Sequence, residues 1–337
     1  MAGGQERVLK RRIRSVNSTK KITRAMELIA ASRIVRAQQA VAAARPYSEA
    51  VTEVIRHLAA GGAELSHPIL AGPETPSGRR AVVVISSDRG LAGAYNTNVI
   101  RAGERVVRDG SERRPDPGSY SLYLVGRKAE SYFRFRQYEV ERAFFGMSDR
   151  PAYADAKEVA EVVMEAYNAG QLDRVDLAYT QFLSVGTQRP VVRQLLPVEV
   201  GAITDTTEDH GPQAAYEFEP DPGGILDQLL PRYVESRLYA AMLDAAASEH
   251  AARQRAMKSA TDNAEDLVVR LTRVMNRARQ ESITTEIMEI VGGAEAMRQA
   301  QAGGEDLLPD LMQSRELFRD LVEHHPRHED QPPRRQS

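Results

Sequence analysis

Eleven Lys and Arg residues crowd the first 45 positions against only Glu6 and Glu27: Arg7, Lys10, Arg11, Arg12, Arg14, Lys20, Lys21, Arg24, Arg33, Arg36 and Arg45. Such a cluster binds something acidic, whether nucleic acid, anionic lipid or an acidic protein surface. Nucleic acid is poorly matched, because no aromatic residues interleave with the cations to stack on bases and the whole chain carries a net charge of −2. An acidic protein partner fits better. A second candidate is the run Ser86-Ser87-Asp88-Arg89-Gly90-Leu91-Ala92-Gly93-Ala94-Tyr95-Asn96, between a β-rich segment and a helical one. Gly-bearing turns there can hold phosphate. This one has neither G-x-G-x-x-G nor G-K-[ST], so its glycines are read as serving a tight turn and close helix–strand packing. His324, His325 and His328 have a spacing that could ligate a metal, but they flank Pro326 in a polar tail and read as solvated.

The remaining chemistry is sparse. With no Cys among 337 residues, a thiol nucleophile, a redox pair, a disulfide framework and a Cys-ligated metal are all excluded. No Ser–His–Asp arrangement or H-E-x-x-H stands out, so neither a catalytic residue nor a cofactor or metal is expected. No run of about 18 apolar residues could span a bilayer, and the first ten residues lack the apolar core of a secretory signal.

Gly and Pro organise the elements that must position these residues. Neither occurs between Gly4 and Pro46, nor from Arg232 to Val291. Helices beyond about 25 residues suggest a coiled coil, and both stretches carry apolar residues at i, i+3/i+4. The expected seam on the first is Ile22, Ala25, Met26, Ile29, Ala30, Ala37, Ala40, Val41 and Ala44. On the second it runs through Leu229, Tyr233, Leu238, Met242, Ala245, Ala246, Ala252, Ala256, Ala260, Ala264, Leu267, Leu271, Val274, Ala278 and Ile283. Small seam residues allow close approach. The two helices pair antiparallel if the chain between them folds back. Between them, Ala81–Ile85, Ser121–Val125 and Val175–Phe182 read as strands, with helical patterns at 91–109 and 151–169. That alternation predicts a parallel α/β sheet, and Arg189–Pro197 could add a strand. The expected organisation is an N-terminal coiled-coil helix at 1–60, an α/β domain at 79–200, a loop at 201–224, a C-terminal coiled-coil helix at 225–297 and an extension at 298–337. The fold class is therefore α/β: a long antiparallel coiled coil with a Rossmann-like domain inserted between its helices.

Six motifs lie in order along this layout: Arg12–Gln38 (RIRSVNSTKKITRAMELIAASRIVRAQ), Ser87–Asn98 (SDRGLAGAYNTN), Glu219–Pro222 (EPDP), Arg232–Ser236 (RYVES), Ala256–Asn263 (AMKSATDN) and Ala278–Gly293 (ARQESITTEIMEIVGG). Over about residues 5–297 the chain resembles the gamma subunit of F-type rotary ATP synthases. The resemblance implies a central rotor shaft inside a hexamer of alpha and beta subunits. Its foot would rest with the epsilon subunit on the membrane ring of c subunits, at the cytoplasmic face of a bacterial plasma membrane. It implies torque transmission without a catalytic residue and without nucleic acid. By position, Lys20, Lys21, Arg24 and Met26 match the stretch facing the beta subunits' acidic lever. Arg279, Gln280, Thr284 and Glu289 match the segment that hydrogen-bonds a loop of beta, and Tyr216, Phe218 and Glu219 match the foot. A nucleotide-dependent enzyme centred on the insert and a nucleic-acid-binding coiled-coil adaptor are the rival classes; neither accounts for the collinear motifs.

Three departures from the family pattern stand out. Glu281 replaces a small apolar residue, Phe218 replaces a Tyr, and the chain continues 40 residues past Met297. That tail is expected either to damp ATP hydrolysis or to be a tolerated solvated extension.

Overall fold

The computed structural model describes residues 2–60, 67–72, 76–108, 119–198 and 222–301. In chain order the elements are α1 (Ala2–Ala60), α2 (Pro68–Ala71), β1 (Arg80–Ile85), α3 (Tyr95–Arg108), β2 (Tyr120–Val125), α4 (Arg127–Phe135), β3 (Arg142–Phe144), α5 (Tyr153–Asn168), β4 (Arg174–Phe182), β5 (Gln188–Leu196) and α6 (Pro222–Gln301). The chain divides into two units, Arg14–Val268 and Met1–Ile13 with Val269–Ser337. No described helix is long and apolar enough to cross a membrane.

Within the larger unit, β-branched runs build a five-stranded sheet in the order β3-β2-β1-β4-β5. Strands β3, β2, β1 and β4 are parallel, whereas β5 runs antiparallel to β4. The reversal follows from length: residues 183–187 are too few for a crossover and suffice only for a hairpin. Strand alternation then sorts the side chains onto two faces. Ala81, Val83, Ile85, Tyr123, Val175 and Leu177 pack beneath α5, α6 and the 51–58 part of α1. Val82, Val84, Leu122, Leu124 and Ala178 pack against α3 and α4. Gly103 lets α3 lie this close, because a Cβ there would sit 2.6 Å from a methyl of Val84. The sequence pattern missed α4 and β3, whose nine and three residues are too short to display a period.

The terminal helices pair antiparallel within this unit. Thr23 Oγ1 lies 2.8 Å from Thr261 Oγ1, and Lys20 Nζ lies 3.1 Å from Glu265 Oε1, so numbers rise on α1 as they fall on α6. The expected seam holds at Ala30 on α1 and at Tyr233, Leu238, Met242, Ala245, Ala246 and Ala264 on α6, and departs from expectation elsewhere in this unit. On α1 the buried seam is Thr23, Glu27, Ala30 and Ile34, and on α6 it includes Met257, Thr261 and Ala264. Steps of four and three give the 3.5-residue period of a left-handed coiled coil. Ile22, Ile29 and Leu267, assigned to the seam by their hydrophobicity, face outward instead. Threonine can replace them inside because the two hydroxyls bond each other, and the one that accepts in that pair donates to its own helix, Thr23 to Lys20 O or Thr261 to Met257 O. The polar pair in the seam thus leaves large apolar side chains outside.

In the smaller unit, Leu271 and Ala278 keep the same heptad spacing and are buried. The 2.6 Å ion pair with Lys10 holds the Glu6 carboxyl below its usual range, with a lesser contribution from Arg279. From Glu281 to Arg298, however, no residue of α6 is fully buried. Val274 and Ile283, expected in the seam, are about half exposed.

Candidate partner-binding surface

The first predicted patch lies on α1 in the larger unit. Lys21 and Arg24 are exposed; Lys20 and Met26 are half-buried beside the Thr23–Glu27 seam. Their charges are not equivalent. Arg24 reaches both carboxylate oxygens of Glu27 at 2.9–3.0 Å, and Lys20 is paired with Glu265. Among the described residues, Lys21 has no carboxylate partner. On the same helix Ile22, Leu28 and Ile29 are each more than half exposed. Exposed apolar groups of this size on one helix mark a contact surface, and Lys21 adds a compact, uncommitted point charge.

The second patch lies on α6 in the smaller unit. Arg279, Gln280, Thr284 and Glu289 are all exposed. Thr284 Oγ1 donates to Gln280 O at 2.9 Å, and Thr285 Oγ1 does the same to Glu281 O. Each hydroxyl spends its proton on its own helix and keeps lone pairs for an outside donor. Glu281 is held by Arg277 Nε at 3.0 Å, which moderates the charge that replaces the family's apolar residue. Around these polar groups Ile287, Met288, Ile290, Val291 and Met297 are exposed, Ile290 and Met297 by 71% and 73%. Tyr216, Phe218, Glu219 and the tail beyond Gln301 lie outside the described residues.

The Ser86–Asn96 loop is used up internally. Ser86 Oγ donates to Val125 O and accepts from Ala129 N–H, both at 3.0 Å. Ser87 N–H donates to Asn96 Oδ1 at 2.9 Å. Asp88 accepts from the Gly146 and Arg127 N–H groups at 2.9 and 3.2 Å and from Ser148 Oγ at 3.2 Å. Gly90 O accepts from Arg253 at 3.2 Å, fastening the loop to α6. The corner is shaped by Gly126, whose φ of +95° is joined by the absence of any room: a Cβ would lie 2.4 Å from Ser86 O. The run is a fastener between sheet and helix, as the reading of its glycines as a tight turn with close packing expected.

A half-buried polar junction around the buried His250 was not legible as a site. Arg33 of α1 grips both carboxylate oxygens of Asp149, in the loop before α5. His250 Nε2 of α6 lies 3.1 Å from Asp149 O. Because a carbonyl only accepts, Nε2 carries the proton. Burial pushes the His250 pKa down, so the ring is neutral, and its Nδ1 has no hydrogen-bond partner among the described groups. One position earlier, Glu249 pairs with Arg253 at 2.6 Å. Burial raises its pKa to about 7 despite that arginine, and Glu249 Oε2 is unpartnered. The available signal was Ser248-Glu249-His250 inside an alanine-rich helix, where three consecutive polar residues cannot all reach solvent. The described residues contain no group of three or more potential metal ligands.

Comparison with known proteins places this architecture. The sequence model of a family described as ATP synthase matches residues 5–297. An ATP synthase gamma chain of Frankia casuarinae is 55% identical over 300 residues, covering 87% of this chain and 98% of that protein. The gamma chain of Acidothermus cellulolyticus is 50% identical, covering 88% and 98%. Among solved structures, a chain of the Euglena gracilis mitochondrial ATP synthase (OSCP/F1/c-ring, rotational state 3) superposes with a TM-score of 0.60. It is 18% identical, covering 90% of this chain and 98% of that one. A chain of the Tetrahymena thermophila mitochondrial ATP synthase central stalk/c-ring gives a TM-score of 0.54 at 23% identity, covering 71% and 99%.

Proposed function

This chain belongs to the ATP synthase gamma chain family, and from that premise we propose how its surfaces act as the rotor shaft of a proton-driven ATP synthase. A gamma chain is a non-catalytic subunit, so its own chemistry is mechanical: it must be stiff along its length, fastened to a foot, and able to slide past partners. The observation that carries the reading is the inverted character of the helix pair. Its seam holds Thr23, Glu27 and Thr261, while Ile22, Leu28 and Ile29 face out. Apolar side chains touch a partner without directional bonds, and a surface made of them can slide.

In this reading Lys20, Lys21, Arg24 and Met26 face the acidic lever of the beta subunits. Arg24 and Lys20 already hold carboxylates within the chain, so Lys21 carries most of the uncompensated attraction. An ammonium attracts without a bidentate lock, which suits a contact that is made and broken on every turn. Arg279, Gln280, Thr284 and Glu289 offer donors and acceptors to a loop of beta along a stretch of α6 that is exposed on all sides. Tyr216, Phe218 and Glu219 form the foot with the epsilon subunit and the c-ring. Membrane association comes through those partners, at the cytoplasmic face of a bacterial plasma membrane. The internally bonded Ser86–Asn96 corner supports this reading, because its bond from Arg253 to Gly90 O fixes the sheet domain to α6.

Mixing the chain with purified alpha and beta subunits tests the proposal. The expected outcome is a stable complex whose ATP hydrolysis depends on this chain, while the chain alone hydrolyses nothing. Failure to assemble with either subunit, or ATPase activity of the isolated chain, overturns it.

A further inference from the structure

The heptad positions of the α1 seam continue past Ile34 through Ala37, Val41, Ala44 and Ser48 to Val51, Ile55 and Leu58. The last three are buried, but the four before them are only half-buried. Their cover is missing because a cavity of about 1120 Å³ opens between α1 and α6, lined by Val41, Ala44 and Ser48 from α1 and by Glu235, Tyr239 and Asp244 from α6. Tyr153 of α5 and Phe182 of β4 line it too. Its charges are sorted by depth. Arg45, Lys157 and Arg232 are exposed, and Glu49 and Glu161 pair with the first two at 3.1 and 3.6 Å. Glu235 is 8% exposed and Asp244 half-buried, and neither has an ion-pair partner among the described residues. Glu235 Oε2 accepts from the Tyr153 hydroxyl at 2.5 Å. Its Oε1 has no hydrogen-bond partner among the described residues, yet it is not sealed off as Glu249 Oε2 is, so it stays open to a ligand. Burial raises the Asp244 carboxyl to about 6, against the opposing pull of Arg193 and of the Phe182 N–H. Both carboxyl groups lack a cation.

We propose that this cavity binds a linear polyamine, with one ammonium on Glu235, another on Asp244 and the chain between them lying along Tyr239. The two carboxyl groups stand nine residues apart on α6, about 14 Å along its axis. One compact cation cannot meet both, and a divalent metal ion wants its oxygens gathered around a single point. A ligand with two separated ammonium groups meets them, and its methylene stretches suit Val41, Ala44 and Leu243 of the lining. The edge-to-face pair of Tyr153 and Tyr239, with centroids 5.7 Å apart, adds aromatic surface that attracts ammonium groups. Volume is sufficient, since pockets for organic ligands run to about 1,000 Å³. An occupied cavity would restore the contact between α1 and α6 that the seam loses after Ile34. This chemistry stands independently of the rotor reading.

The test is equilibrium dialysis of the full chain, alone and assembled with alpha and beta, against labelled spermidine at fixed ionic strength. Wild type is compared with Glu235→Gln, Asp244→Asn and the double variant. The replacements keep shape, and a glutamine carbonyl still accepts from Tyr153. Each single substitution is expected to weaken one saturable site about tenfold, the worth of one charge-assisted hydrogen bond. Propane-1,3-diamine, too short to reach both carboxyl groups, should compete about tenfold more weakly than spermidine, and Mg²⁺ hardly at all. Equal competition by Mg²⁺ means a general counterion effect and overturns the site. Equal competition by the short diamine overturns the bridging of the two carboxyl groups. Those two comparisons use only wild type, so they decide even if a variant misfolds. Binding that the folded double variant retains lies elsewhere and overturns this cavity. Binding by the chain alone that vanishes in the complex shows a partner subunit filling the crevice, and absence of saturable binding leaves it to water; either result overturns the proposal.

Discussion

The corner from Ser86 to Asn96 and the end of α6 from Arg279 to Met297 are near opposites. The corner has the residue types of a ligand site, yet its serines and Asp88 are spent on the protein's own backbone and on Ser148. The end of α6 has no motif of chemistry, yet its side chains are nearly all uncovered, with large apolar groups among polar ones. In a protein without its own reaction, residues that look catalytic serve as fasteners. In the proposed reading, the residues that look like a poorly designed surface are the ones that meet the partners. Interior substitutions should therefore cost folding, and surface substitutions should cost only the assembled machine.

The sharpest break in that comparison is Gly126→Ala. The new Cβ would meet Ser86 O at 2.4 Å in a left-handed backbone conformation, and both the turn and the Ser86 bonds must shift. The expected cost is about 3 kcal/mol, read as a fall in the thermal midpoint of roughly 6–12 °C for a unit of this size. A fall below about 2 °C would mean that the corner is not a fastener.

A smaller effect separates the buried junction from both regions. Burial raises the Glu249 carboxyl from 4.5 to about 7. Between those values the folded chain keeps a proton that the unfolded chain has lost, so this group's contribution to stability falls as pH rises from about 4.5 to about 7. Above that window the carboxylate is ionised in both states, and the loss is complete. Glu249→Gln removes the titration, so thermal midpoints of variant and wild type should diverge in the variant's favour as pH rises. Parallel pH profiles would show that Arg253 compensates the charge fully.

Legibility followed length and period. Helices α1 and α6 were readable because Gly and Pro are absent over long stretches, and β1, β2 and β4 because β-branched runs alternate with helical patterns. The hand-over from seam to surface was not readable. Hydrophobicity ranks Ile22 and Ile29 above Thr23, and only the hydroxyl bonds to Lys20 O and to Thr261 reverse that ranking. The Arg33–Asp149–His250 junction was hidden for a related reason. Its members lie 116 and 101 residues apart in sequence, and Arg33 read as one cation of the basic cluster offered to an acidic partner. The patches on α1 and α6 were placed by family resemblance. Physics alone marked only the charge of the α1 patch.

The finest distinction sets neighbours against each other. Lys20 and Lys21 read alike in sequence, but Lys20 pairs with Glu265 at 3.1 Å across the helix pair and Lys21 pairs with no carboxylate among the described residues. Lys20→Gln should lower stability slightly, by up to about 1 kcal/mol for so exposed a pair. Lys21→Gln should leave stability unchanged. In the complex with alpha and beta the order should invert. Lys21→Gln removes the free charge offered to an acidic lever and should change the ATP hydrolysis rate, with the difference shrinking as salt screens the contact. Lys20→Gln frees Glu265 and should disturb that rate less. Equal effects of the two substitutions on the rate at low salt would show that the lever reads the summed charge of the patch and not the one lysine that the helix pair leaves uncommitted.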